Sequence, residues 1–381
     1  MIPFNKPYMT GKELFHIGEA YRNCVLAGDG PFTKRCHEWM ETRTGACRAL
    51  LTHSCTAALE MAAILLDIAK GDEIIMPSFT FVSTANAFVM RGGVPVFVDI
   101  RSDTLNLDER RIEEAITART KAIVVVHYAG VACQMDVILA IAEKHGLPVI
   151  EDAAQGVMAT FRGSPLGSLG ALGAYSFHET KNLTCGEGGA LLVNQKRYQL
   201  RAEICREKGT DRSSFFRGEI AKYVWRDVGS SYLLGEMSAA FLWAQFNDAQ
   251  RITSTRRESW NYYYCLLAPL EAAGWLRRPI VPSDCDHNAH LFYIVLRPDV
   301  DQQKVLAGLK ERGVGAVFHY QPLHSSPAGV RFGRACGTMA VTDNAASQLI
   351  RLPFWMEISQ AVQEQVVVAL AKVLENHAGK F

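Results

Sequence analysis

Residues 122–155 read AIVVVHYAGVACQMDVILAIAEKHGLPVIEDAAQ, and this stretch decides the fold. The run Ala122–His127 is apolar from Ala122 through Val126 with no polar alternation, as a strand buried on both faces requires. Met135–His145 then carries apolar residues at helical spacing, and Leu147–Glu151 is a second short apolar run. Working outward, further strands are expected at Glu73–Met76, Pro95–Ile100, Gly173–Phe177 and Gly189–Val193. Helical patterns at Thr56–Lys70, Ser83–Arg91 and Leu107–Ile116 fall between several of them. Such alternation predicts an α/β fold with a mostly parallel sheet covered on both faces.

The flanks differ from this centre. Residues 10–45 read as amphipathic helix broken at Gly28-Asp29-Gly30-Pro31, and residues 196–275 read as long helices, including Glu236–Gln250 and Arg256–Ala273. After a break at Arg278–Pro282 come a strand at His290–Leu296, a helix at Gln302–Arg312, a strand near Val314–Phe318 and a closing helix at Gln360–His377. The expected organisation is therefore a large α/β domain over residues 1–250 and a smaller α+β domain over 251–381.

Composition narrows the class of function. A chain of 381 residues is long enough to bury about three quarters of its unfolded surface, so it needs no disulfide or metal staples. Forty basic residues against 39 acidic ones leave a net charge of +1, which offers no footprint for nucleic acid or an anionic membrane. The ten cysteines include no C-x2–4-C pair, so no structural metal site is expected, and they read as small buried apolar residues. The opening MIPFNKPYMTGKELF lacks the apolar core of an export signal, and no apolar run approaches the ~18 residues of a membrane span. The expected location is cytoplasmic.

Three segments carry candidate chemistry. Ser54-Cys55-Thr56-Ala57-Ala58 opens a helix, where free N–H groups and hydroxyls suit a phosphate; a plain helix cap is the alternative. In Val149-Ile150-Glu151-Asp152-Ala153-Ala154-Gln155, Asp152 ends a buried strand, where α/β sheets bind ligands. It would pair with a cationic nitrogen of a cofactor, or else cap a helix. In Ser176-Phe177-His178-Glu179-Thr180-Lys181-Asn182, a lysine directly follows a buried strand and precedes Gly186-Glu187-Gly188-Gly189. Desolvation there would turn Lys181 into a nucleophilic amine, whereas most lysines are solvated. Phosphate site, acid and amine together match what pyridoxal phosphate needs: donors for its phosphate, a carboxylate for its ring nitrogen and an amine for its aldehyde.

The text SCTAALEMA (54–62), MPSFTFVSTANAF (76–88), VHYAG (126–130), EDAAQG (151–156), SFHETKN (176–182) and HYQPLH (319–324) resembles the DegT/DnrJ/EryC1 family of sugar-nucleotide aminotransferases. The similarity runs from Ile2-Pro3-Phe4-Asn5 to the C-terminal helix. It implies a fold-type I pyridoxal 5'-phosphate enzyme, acting as a homodimer with shared active sites. Lys181 would hold the cofactor aldehyde, Asp152 its ring nitrogen, and Gln155 its 3-hydroxyl side. Thr56, Ala57 and Ser176 would bind the phosphate, and Phe81 would stack on the ring in place of serving as core. Many members have Gly-Tyr-Asn before the long helix, the Asn reaching the partner's cofactor; here Gly229-Ser230-Ser231-Tyr232 puts the shorter Ser231 there. His319, Tyr320 and His324 match the segment that reaches the nucleotide sugar, and Lys208 and Arg212 in REKGTDR suit its diphosphate. The subgroup with this combination, which serves enterobacterial common antigen synthesis, implies transfer of the L-glutamate amino group to C4 of dTDP-4-keto-6-deoxy-D-glucose, giving the 4-amino-4,6-dideoxy-D-galactose product.

Other readings fit less well. A nicotinamide oxidoreductase needs Gly-x-Gly-x-x-Gly between strand and helix, which these strand ends lack. Sugar dehydratases of the same fold replace the lysine with histidine. A non-catalytic cofactor-binding protein has no need of Asp152, Lys181 and a substrate loop together. Amination at C3, or the gluco epimer at C4, are the variants of the main reading.

Overall fold

The computed structural model describes residues 1–378. Seven strands cross the large sheet in the first half of the chain: β1 (Arg48–Thr52), β2 (Glu73–Pro77), β3 (Val94–Val98), β4 (Thr120–Val126), β5 (Val149–Asp152), β6 (Leu172–Ser176) and β7 (Gly189–Val193). Four more strands are β8 (Leu276–Arg277), β9 (Tyr293–Leu296), β10 (Val317–Phe318) and β11 (Arg334–Ala335), and β12 (Leu349–Arg351) follows. The large sheet has the order β1-β7-β6-β5-β4-β2-β3-β11, in which β7 runs antiparallel to both neighbours and the other pairs are parallel. A second, antiparallel sheet has the order β8-β9-β12-β10.

The quoted run explains itself in this setting. Successive residues of a strand point to opposite faces. Ile123 and Val125 of β4 join one core with Phe32, Met40, Leu242 and Phe246. Ala122 and Val124 join the other core with Leu59, Met61 and Met76. A strand with apolar partners on both sides has no position for polar alternation.

Helices flank the sheet: α1 (Glu13–Arg22), α2 (Pro31–Thr44), α3 (Cys55–Leu65) and α4 (Val82–Val89) come first. Glu236, at the head of the helix Glu236–Asn247, accepts the N–H groups of Phe32 and Thr33 at 2.9 Å each. A buried carboxylate thus caps the N-terminus of α2, where the helix dipole favours negative charge. The C-terminal sheet packs a separate core of Trp260, Tyr263, Phe292, Ile294, Ile350 and Leu370. The two parts are stitched together, since β11 extends the large sheet at β3 and Ile2 bridges to Val314.

The expectation of long helices over 196–275 holds for Glu236–Asn247 and Ala249–Leu266 and is corrected for the part before them. Helices cover Gln199–Arg206, Arg212–Phe216, Glu236–Asn247, Ala249–Leu266 and Ala268–Ala272, and the chain from Arg217 to Gly235 is irregular. Gly209 and Gly229 are the reason: a Cβ on Gly209 would sit 1.9 Å from the Asp227 carbonyl oxygen, and one on Gly229 would sit 2.3 Å from the Gly209 nitrogen. Backbone packs on backbone here, which a helix cannot provide. All ten cysteines are free; Cys24, Cys47 and Cys265 are exposed, against the expectation of uniform burial. No helix among the described residues is long and apolar enough to cross a membrane.

Candidate active site

The carboxyl ends of the parallel strands converge on a cavity of about 480 Å³. Asp152 ends β5 and Ser176 ends β6, while Thr80 and Phe81 follow β2 and the Ser54 turn follows β1. Such strand ends gather residues that lie far apart in sequence, because every parallel strand delivers its loop to the same edge. The cavity is lined by Thr56, Phe81, Asp152, Gln155, Ser176, Lys181, His319 and Tyr320 from the sequence-based set.

Asp152 is buried and meets only neutral donors: Thr84 Oγ1 donates to Oδ2 at 2.7 Å and the Ala154 N–H to Oδ1 at 3.2 Å. Burial lifts its carboxyl above the usual range, and Lys181 draws it back toward the charged form. Burial likewise pushes the Lys181 amine below its ordinary value, opposed by Cys55 and Asp152. The adjoining Glu151 accepts three N–H bonds, from Gly167, Leu169 and Gly170, and pairs with His127 at 2.9 Å. This buried net fixes the end of β5 from beneath, so Asp152 is held rather than free to turn.

Gln155 is locked on both sides: its Oε1 accepts the Ala129 N–H at 2.6 Å and its Nε2 donates to the Tyr320 hydroxyl at 2.9 Å. His319 Nδ1 bonds the Tyr128 hydroxyl at 3.0 Å, and burial keeps the ring neutral, well below the ordinary histidine value. Phe81 is 59 % exposed, so it is no core residue but an aromatic at the cavity wall.

Five expected residues do not line this cavity. The Ala57 N–H donates to Ser54 Oγ at 3.1 Å, the helix cap offered as the alternative from the sequence. Thr56 keeps its place in the cavity, its hydroxyl 2.8 Å from Ser83 Oγ. His324 does not line the cavity: its Nδ1 bonds Ser78 Oγ at 2.7 Å and its Nε2 faces Asp343 at 3.5 Å. Lys208, Arg212 and Ser231 line a second cavity, of about 870 Å³, away from Lys181 in the same chain.

Other lining residues carried no assignment from the sequence: Phe4, Asn5, His178, His290 and Arg351. Phe4-Asn5 stands in the opening segment already noted for its similarity. Arg351 had a signal of its own kind, since it ends the apolar β12 as Asp152 ends β5.

The residues present fit pyridoxal phosphate. A buried acid with neutral partners suits a cationic ring nitrogen, a desolvated amine stands in the same cavity, and the exposed Phe81 ring lines its wall. Ser54, Thr56 and Ser176 offer hydroxyls beside the start of α3. Gly189 shows how tightly this corner is built, since a Cβ there would lie 2.3 Å from the Cys55 nitrogen.

Comparison with known proteins gives the same answer. The DegT/DnrJ/EryC1/StrS aminotransferase family matches residues 8–371. The aminotransferase TlmJ from Streptoalloteichus hindustanus is 27% identical, covering 99% of this chain and 100% of its own, with a TM-score of 0.90. DesV from S. venezuelae, solved in complex with a ketimine intermediate, is 27% identical over 98% of both chains, with a TM-score of 0.88. The PLP form of the putative sugar aminotransferase Spr1654 from Streptococcus pneumoniae shares the fold, at 22% identity over 98% of this chain and 99% of that one, with a TM-score of 0.90. The chain thus belongs to the DegT/DnrJ/EryC1/StrS aminotransferase family, as a fold-type I enzyme dependent on pyridoxal phosphate.

Proposed function

We propose that the protein moves the amino group of L-glutamate to C4 of dTDP-4-keto-6-deoxy-D-glucose, giving dTDP-4-amino-4,6-dideoxy-D-galactose. The observation that carries the transamination is a desolvated lysine and a buried acid lining one cavity. The sugar and the position rest on the combined text SFHETKN, GSSY and HYQPLH.

Pyridoxal phosphate, when bound, supplies an aldehyde and a ring that withdraws electrons from the reacting carbon. Asp152 holds the proton on the ring nitrogen, which the low-polarity surroundings make effective. Lys181 accepts and returns the proton at the reacting carbon, a task for which an amine below its ordinary value is suited. Gln155 and Tyr320, bonded to each other, form a rigid wall. The neutral His290 and His319 add polarity without adding charge.

The acceptor site is completed by a second copy of the chain, with Ser231, Lys208 and Arg212 of each copy serving its partner as a homodimer. The apolar surface around the second cavity supports this: Phe216 lines it, and Phe216 and Trp225 stand exposed. We place the enzyme in the cytoplasm, where nucleotide sugars are made.

Incubation with dTDP-4-keto-6-deoxyglucose and glutamate, followed by NMR of the product, tests the assignment. Small H3–H4 and H4–H5 couplings mean an axial amine and the galacto product. Large couplings mean the gluco epimer, and amination only of a 3-keto sugar overturns the position.

A further inference from the structure

His290 lines the Lys181 cavity from the segment that leads into β9, and amide hydrogen bonds fix its ring. Asn182, the residue after Lys181, donates from Nδ2 to the Asn288 carbonyl oxygen at 2.8 Å. A carbonyl only accepts, so this bond settles which end of the Asn182 amide is nitrogen. Asn182 Oδ1 is then an acceptor, and it lies 3.1 Å from His290 Nδ1. His290 Nδ1 therefore carries a proton. Burial holds the ring neutral, and Lys181 adds more to this than Arg256 or Arg351. A neutral imidazole has a single N–H, so Nε2 keeps a bare lone pair. No hydrogen bond among the described residues occupies Nε2.

The backbone beneath the ring is held as firmly. Arg256, from the helix Ala249–Leu266, donates to the carbonyls of Ala289 and His290 at 3.0 and 2.7 Å. Asn288 Nδ2 donates to the carbonyls of Gln155 and Val157, at 2.7 Å each. Between these anchors Ala289 sits at φ +50°, a left-handed conformation that alanine adopts only where its surroundings impose it. Asn182 thus sets two things at once, the backbone next to Lys181 and the plane of the imidazole. The Lys181 amine itself has no hydrogen bond among the described residues.

We infer that His290 is a positioning residue for Lys181, its Nε2 accepting a hydrogen bond from the amine whenever that amine is free of the cofactor. This rests on the reading of Lys181 as proton carrier and names the group that aims it. The acceptor suits the task because it is neutral. A carboxylate in its place would grip the lysine proton too tightly for return, whereas a neutral nitrogen orients the amine and leaves it poised. The fixed tautomer matters equally, since a ring protonated at Nε2 would aim a donor at an ammonium.

The test separates the two nitrogens of the ring by amide mimicry in the holoenzyme. His290→Asn keeps an N–H for Asn182 Oδ1 but puts no acceptor at the Nε2 position, and His290→Gln extends its amide to that position. Nitrogen NMR of histidine-labelled holoenzyme reads the tautomer without turnover. Wild type shows one histidine protonated at Nδ1 and bare at Nε2 whose signals vanish in His290→Asn. The glutamate half-reaction, run with ordinary and α-deuterated glutamate, is followed by cofactor absorbance. In His290→Asn the limiting rate falls by about 10²-fold, the scale of misplacing a reacting group, with the deuterium isotope effect fully expressed. Half-saturation by glutamate stays near wild type, and His290→Gln recovers part of the rate.

A His290 ring protonated at Nε2 in wild type overturns the inference, as does an unchanged limiting rate in His290→Asn. A rate loss with a smaller isotope effect, or a loss confined to cofactor retention and melting temperature, makes the residue structural and overturns it too. So does a rise in half-saturation by the keto sugar alone, which would assign Nε2 to a sugar hydroxyl. If His290→Asn fails to fold, the wild-type tautomer and the rate and isotope effect of His290→Gln carry the comparison. Borohydride label on a lysine other than Lys181 defeats the site reading itself. Label on Lys181 with an unchanged His290→Asn defeats only the role given to His290.

Discussion

The Lys181 cavity and the cavity lined by Lys208 and Arg212 treat charge differently. Around Lys181, Asp152 takes only neutral donors and the Arg351 Nε has no partner. In the second cavity most of the cations are paired with acids of the chain itself, although Arg48 Nε and Arg206 Nη2 are also buried without a hydrogen-bond partner. Glu203 holds Arg48 at 3.0 Å and Arg217 at 2.8 Å, Glu207 holds Lys208 at 3.2 Å and Arg212 at 3.3 Å, and Asp29 holds Arg206 at 2.7 Å. Two of its three acids are each shared by two cations, so the cavity still carries surplus positive charge. A charge left without a counterpart inside the chain is poised for a ligand; a charge already paired is scaffold, and any ligand must compete for it.

The largest effect expected from this contrast is at Lys181. Lys181→Ala should lower turnover by at least about 10⁴-fold, as loss of an essential acid–base group does, with the fold intact by circular dichroism. Borohydride treatment of the holoenzyme should fix the cofactor to Lys181. Label on another lysine would break the assignment of this cavity.

Asp152→Asn comes next. Turnover should drop by about 10²- to 10³-fold, the scale of removing a preorganised electrostatic group, while cofactor still binds through its phosphate. Near wild-type turnover would make Asp152 a structural cap and erase the difference between the cavities.

Glu73 extends the rule for paired charge to stability. Hydrogen bonds from Arg334, Thr117 and Arg119 hold its carboxyl at about 2, far below the ordinary 4.5, and tie the edge strand β11 to the start of β2. A carboxylate depressed in the folded state stabilises it above the unfolded value, and that contribution fades as pH falls from 4.5 toward about 2. Glu73→Gln should cost about 2 kcal/mol at neutral pH, the scale of charge-assisted hydrogen bonds. Its stability should also fall less steeply in acid, as measured by denaturant titration at several pH values.

Lys208→Ala with Arg212→Ala should give the smallest change, since both cations are shared with Glu207. The glutamate half-reaction should be unaffected, and the sugar half-reaction should weaken by about 10-fold, as for loss of partly screened phosphate contacts. Mixing this variant with Lys181→Ala should restore some sites to wild-type composition if two copies share them. No recovery after subunit exchange would argue that each chain works alone.

Legibility followed the same physical lines. The parallel strands were readable because a strand buried on both faces carries a continuous apolar run, and Ala122–Val126 of β4 and Val149-Ile150 of β5 announce themselves this way. β1, β11 and β12 were not readable: RALLT is too short to carry a period, and Arg334-Ala335 is a strand only because the chain returns to pair with β3. In the site, Asp152 and Lys181 stood out as charged residues placed against buried strands. Arg351 obeys the same rule, but its strand is three residues long and its charge has meaning only once the small sheet swings it toward Lys181.

Local chemistry in the sequence determined the α/β pattern, the acid, the amine and the cofactor they fit, because each depends on a few adjacent residues. Tertiary structure alone decided which polar residues share a cavity. It moved His324 onto Ser78 and put Lys208, Arg212 and Ser231 on another surface. The physical reason is that hydrogen bonding and ion pairing are settled by whichever partner lies nearest in space, and the nearest partner of His324 is 246 positions away in the chain.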